Sequence, residues 1–149
     1  FFTLEKGVHE IAGAKVTALE VPHTDTTFGY RVERNGFSVA YVIIIKTRHG
    51  VSIEPSVLEL CQGVDVLIHD AQYTPEEYLR KPAWGHCTVG YAVRVAAATE
   101  VGQLVLFHHD PSHDDDMLDR LLAEAQETGR GLGVDSITAA YEGLTITLA

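Results

Sequence analysis

Read for the alternation of apolar and polar positions, the chain changes character after its first third. The stretches HEIAGAKVTALEV (9–21), GYRVERNG (29–36) and FSVAYVIII (37–45) are rich in Val, Ile, Tyr and Phe and predict β structure. Asn35-Gly36, between the last two, is a strong hairpin signal because both residues tolerate a positive φ. Past Gly50 the period shifts. Pro55-Ser56 opens a short helix, SVLELCQ, which Gly63 stops. VDVLIH (64–69) predicts a buried strand, and TPEEYLRK (74–81) one or two turns of helix. Thr88 is a plausible N-cap for VGYAVRVAAAT, where Tyr91, Val95 and Ala98 recur at helical spacing. QLVLFH (103–108) predicts another short strand. Ser112 and the aspartates at 114–116 then start the helix MLDRLLAEAQETG, its acidic first turn complementing the macrodipole. TAAYEGLTITL (138–148) predicts strand, turn and strand. Strands first, then helix and strand in alternation, predict an α/β layered domain.

Composition narrows the class. A chain of 149 residues is expected to form one domain, 1–149, and at that size roughly 70% of the unfolded surface can be buried. It is 46% hydrophobic and 21% charged, as in a soluble globular protein. The longest apolar run, AYVIII (40–45), is strand-sized and far short of the roughly 20 residues of a membrane span. No charged n-region, apolar h-region and cleavage site succeed one another at the start, so no signal peptide is expected. The net charge of −10 argues against a broad basic surface for nucleic-acid backbones. A small cationic site remains open, because a bound metal ion outweighs distant charges. Cys61 and Cys87 give no disulfide framework, so they are expected as small buried residues in a reducing cytoplasm.

Chemistry-bearing side chains fall at one kind of place, directly after an apolar strand. VPH puts His23 there, LIHD puts His69 and Asp70 there, and LFHHD puts His108 there. In α/β sheets the carboxyl ends of strands form ligand crevices. Imidazoles and carboxylates gathered at such an edge suit zinc or manganese. WGHCT adds His86 in a loop just ahead of a helix. Each histidine taken alone also fits a hydrogen-bonded structural role, and His9, His49 and His113 read that way or as exposed residues. The triple aspartate reads most simply as a helix start.

The succession VPHTDTTFGYRVERNGFSVAYV, DVLIHDAQYTPEEY, WGHCT and LVLFHHDPSHDD resembles the metallo-β-lactamase fold hydrolases, in the branch of ribonuclease Z and related phosphodiesterases. The resemblance implies half of an αβ/βα sandwich, a mixed sheet with helices on one face. It also implies a dinuclear metal site at the sheet edges, holding two zinc ions, with manganese as the alternative. By the same resemblance His23, the histidine before a GYR strand, and His108, placed like the histidine of a THFS motif, are metal ligands. His86, in an HST-like HCT, acts on the scissile phosphate, and Asp70, in an LIHE-like LIHD, orients it. Such a pair makes chemical sense, since a histidine fixed by a carboxylate can donate a proton to a leaving oxygen.

The chain departs from the family pattern twice. The HxHxDH loop that supplies most ligands is absent, and Ile43, Ile44 and Ile45 stand where a bridging aspartate belongs. A catalytic zinc wants three protein ligands, and two remain. The expectation is therefore the C-terminal part of a metal-dependent hydrolase, acting on a small phosphodiester or RNA and inactive alone. The alternative is a non-catalytic remnant of the fold serving as a binding or assembly module. A homodimer is expected either way, because half a sandwich exposes an apolar sheet face.

Overall fold

The computed structural model describes residues 3–43, 52–81 and 84–148. Seven strands form one sheet in sequence order: β1 (Gly7–Ile11), β2 (Ala14–Val21), β3 (Thr27–Arg34), β4 (Phe37–Val42), β5 (Val66–Asp70), β6 (Gln103–Phe107) and β7 (Ile137–Ala139). The first four pair antiparallel and the last four parallel. Two-residue turns close the β1–β2 and β3–β4 hairpins. Asn35 and Gly36 both take positive φ (53° and 85°), which is the backbone of the turn the sequence predicts there. The run 9–21 is likewise two strands rather than one, because Ala12 and Gly13 (φ 51° and 77°) fold it between β1 and β2.

Parallel strands need crossovers, and helices supply them. α1 (Pro55–Cys61) begins on a proline, α2 (Pro75–Arg80) on a capping box between Thr74 and Glu77, and α3 (Val89–Ala98) on Thr88, whose hydroxyl accepts from Tyr91 N. α4 (Asp115–Leu132) starts at Asp114, whose carboxylate accepts from Met117 N at 2.9 Å, and ends at Gly133 in the left-handed region. The helix runs beyond Gly129, where the sequence pattern weakens. Any side chain there would meet Ile137 Cδ1 at 2.5 Å and Val134 O at 2.7 Å, so the glycine serves close helix–strand packing rather than termination.

α1, α3 and α4 pack on one face of the sheet. The cross-strand row Ala40, Leu67, Leu104 and Ile137 meets Val57 and Leu60 of α1, Val93 and Ala96 of α3, and Leu121 and Ala125 of α4 in one core. Burying each large aliphatic side chain there stabilises by roughly 1.5–3 kcal/mol. The opposite face carries its own apolar rows, Ala18–Tyr30–Tyr41–Ile68–Val105 and Val16–Val32–Val39–Val66. Tyr41, Phe107 and Val32 on that face remain 42%, 38% and 38% exposed. Residues 144–148, read from sequence as a final strand, follow a turn at Gly143 without joining the sheet. Among the described residues no helix is long and apolar enough to cross a membrane.

Candidate functional site

β2, β4, β5, β6 and β7 all point the same way, because β2 and β4 each pair antiparallel with β3 and the later strands pair parallel. Their carboxyl ends share one sheet edge. His23 follows β2, Ile43 follows β4, Asp70 ends β5 and His108 follows β6. His86 arrives from the loop before α3. That loop is tied down by Tyr73 N donating to Cys87 O and Val89 N donating to Tyr73 O, each at 3.1 Å.

Asp70 is fully buried. Its Oδ1 accepts from Gln72 N at 3.1 Å, and its Oδ2 lies 2.9 Å from His86 Nδ1. With the carboxylate as acceptor, Nδ1 carries the imidazole proton and Nε2 presents its lone pair to the site. The Asp70 carbonyl is held too. It accepts from His69 Nδ1 at 2.7 Å and from Cys87 Sγ at 2.9 Å, so the residue after His86 is anchored to the same strand end. His69 points into the helix-covered core, and burial lowers its pKa; its Nε2 has no partner among the described residues.

His108 turns the chain out of β6 with φ 59°, a conformation uncommon outside glycine, and its ring stacks on His86 with centroids 4.8 Å apart. Its Nδ1 is buried without a partner among the described residues. Ligand atoms of Asp70, His86 and His108 all lie within 4.8 Å of one another. Asp70 and His86 are hydrogen-bonded to each other, whereas the orphaned His108 nitrogen is the atom a divalent ion would satisfy, and an imidazole donor there suits zinc or manganese.

His23 stands outside this group. Its Nδ1 accepts from Asp25 N at 3.3 Å and from Thr24 Oγ1 at 3.4 Å, and its Nε2 lies against Gly85, where a Cβ would come within 2.5 Å. Gly85 (φ 85°) thus lets the loop carrying His86 pass directly over His23. Ile43 is 6% exposed and offers no donor atom; Ile44, Ile45 and His49 lie outside the described residues.

A second polar group, not singled out from sequence, borders the site. Lys81 Nζ lies 3.0 Å from Asp110 Oδ2, 4.9 Å from the Tyr73 ring centroid and 5.5 Å from that of Trp84. Tyr73 in turn sets its ring at 85° to His86, with centroids 5.8 Å apart. Burial alone would raise the Asp110 carboxyl, but hydrogen bonds from Ser112 and Lys81 hold it well below the usual range. His113 Nε2 meets Glu77 Oε1 at 2.8 Å, which joins the loop after β6 to α2. The T-x-x-E of the α2 capping box was the one local sequence signal for this scaffold.

The family model described as "Beta-lactamase superfamily domain" matches residues 3–109, and the chain belongs to that family. Ribonuclease Z of Brevibacillus brevis is 38% identical over 80 residues, covering 50% of this chain and 25% of that protein. Ribonuclease Z of Myxococcus xanthus is 30% identical over 94 residues, covering 63% and 29%. Among solved structures, the metallo-β-lactamase fold protein YhfI of Bacillus subtilis superposes with TM-score 0.70 at 18% identity, covering 92% of this chain and 51% of that one. Zn(2+)-bound PqqB of Methylobacterium extorquens gives 0.70 at 21%, covering 98% and 51%. The fold is therefore that of the metallo-β-lactamases, with ribonuclease Z sequences as its relatives, and the chain spans about half of these solved chains.

Proposed function

We propose that this chain forms the C-terminal layer of a metal-dependent phosphodiester hydrolase and is inactive without a half that carries HxHxDH. The observation that carries the reading is the buried Asp70–His86 pair beside His108 at the common strand edge. In this reading His23 and His108 are the chain's metal ligands, zinc the first choice and manganese the second. A bound divalent ion would act as a Lewis acid on a phosphoryl oxygen and ease ionisation of an attacking water. Asp70 holds His86 with Nδ1–H on the carboxylate, so Nε2 would take up the proton released by the attacking water and pass it to the leaving oxygen. Small phosphodiesters or RNA are the substrate class, consistent with the ribonuclease Z relatives.

Ile43 at the strand edge and the apolar outer face of the sheet favour a second reading, a non-catalytic binding or assembly module. Both readings place a partner layer over Tyr41 and Phe107, which a second copy of the chain would supply as a homodimer. The buried reduced thiols suit a cytoplasmic setting.

The test is reconstitution. The 149-residue chain, with zinc or manganese added, should not hydrolyse bis(p-nitrophenyl) phosphate. Adding a family-type N-terminal half, with aspartate replacing Ile43 or Ile44, should restore turnover. His86→Ala should then lower the rate by roughly 10²–10⁴. Chelator-sensitive turnover by the unmodified chain would overturn the inactivity. Restored turnover that ignores His86→Ala would remove the role given to that histidine.

A further inference from the structure

We infer that Trp84 is a stacking platform for an aromatic base attached to the phosphodiester, so that the site takes nucleoside-bearing substrates; this rests on the phosphodiester reading above. Trp84 is the chain's one tryptophan and is 66% exposed. It immediately precedes Gly85, which lies against His23, and stands two residues before His86. Its position is built rather than loose. Trp84 N donates to Lys81 O at 3.2 Å, and the Lys81 ammonium sits 5.5 Å from the indole centroid. That ammonium is held by the buried carboxylate of Asp110 and by the Tyr73 ring, which itself abuts His86.

Trp84, Lys81, Tyr73, His86 and His108 therefore form one continuous run of contacts, cation–π at Lys81, edge-on between Tyr73 and His86 and stacked between His86 and His108, with the open indole at its outer end. Lys81 is already committed to Asp110, so it braces the rings around it rather than neutralising a phosphate. The indole is an apolar surface open to solvent beside a polar site. A planar base laid on it recovers that exposure without sequence preference, because every base has a π face.

The experiment uses the 149-residue chain with zinc added, with tryptophan excited selectively. The dinucleoside monophosphate ApA should quench the emission saturably, and diethyl phosphate should not. Calorimetry should show Trp84→Ala weakening ApA binding about 5- to 150-fold, the equivalent of roughly 1–3 kcal/mol of stacking. Trp84→Phe should retain most of the affinity, and diethyl phosphate should bind both variants as it binds the parent. Equal ApA affinity for parent and Trp84→Ala, or no ApA binding at all, overturns the inference. Diethyl phosphate binding as well as ApA removes the platform and leaves the phosphodiester reading intact. Adenosine binding as tightly as ApA while diethyl phosphate fails keeps the platform and sinks the phosphodiester reading.

Discussion

Gly85→Ala perturbs the contact on which the layout of the site depends. At φ 85° an alanine pays the left-handed penalty, roughly 1–2 kcal/mol. Its Cβ would also stand 2.5 Å from His23 Nε2 and 2.8 Å from His23 Cδ2. Ordinary contact distances are about 3.5–4.0 Å, so the ring must retreat by about 1 Å. It can do so cheaply, since among the described residues the hydrogen bonds that hold it are the long ones at Nδ1, 3.3 Å and 3.4 Å. The net loss should thus stay near 1–2 kcal/mol, or about 2–8 °C in Tm for a chain of this size. Urea and thermal unfolding followed by circular dichroism measure the stability, and the histidine Cε1–Hε1 NMR signals report the ring. The His23 signal should move while that of His69, in the core, stays. Unchanged or raised stability with an unmoved His23 signal would refute the loop geometry that sets Gly85 against His23.

Four further outcomes follow from single contacts. Within α4, Gly129→Ala should destabilise by about 1–3 kcal/mol, because its Cβ would press on Val134 O and Ile137, whereas Gly131→Ala, with nothing within 4 Å, should stabilise by up to about 1 kcal/mol; unfolding curves of the same sign would contradict the packing. Asp70→Ala leaves Gln72 N–H and His86 Nδ1–H without their acceptor, at about 1–3 kcal/mol for each buried donor left unmade, and a loss below 0.5 kcal/mol in denaturant titration, roughly the scale of a surface change, would count against that network. Burial pushes the Cys61 thiol up to about 12 and raises that of Cys87, so both should resist a disulfide reagent at mildly alkaline pH in the native state and react on unfolding. Burial lowers the His69 pKa, so the unfolded chain takes up this proton first as pH falls; stability should be level above about 6.5 and decline as pH drops from there towards the folded value, more shallowly in a His69→Gln variant.

Local chemistry made much of the fold legible. Asn35-Gly36 fixed a turn, Thr88 caps α3 by its hydroxyl, the β-patterned runs of the first third became β2 and β4, and short continuous apolar runs became β5 and β6. What failed in the sequence was decided by distant partners. Ala12-Gly13 lacks the polar residue that usually marks such a turn, the expected helix ended at Gly129 whereas α4 runs on to Leu132 with Ile137 packed beside that glycine, and LTITL has strand periodicity with no ladder to join among the described residues. For the site, the placement of His23, Asp70 and His108 at strand ends was readable because apolar runs precede them. The grouping was not. That His86 stacks on His108 while His23 rests on Gly85 depends on loop paths, and the brace of Lys81, Asp110 and Tyr73 joins segments that periodicity does not connect.

The central claim is that this strand edge is a metal edge with His86 reserved for proton transfer. Zinc calorimetry on the chain and its single variants tests it most directly. The account predicts weak binding, micromolar or poorer, lost in His108→Ala, weakened in His23→Ala and nearly unchanged in His86→Ala. Binding lost in His86→Ala and Asp70→Ala but indifferent to His23→Ala would place the ion among Asp70, His86 and His108, and contradict the assignment of His86 to the proton.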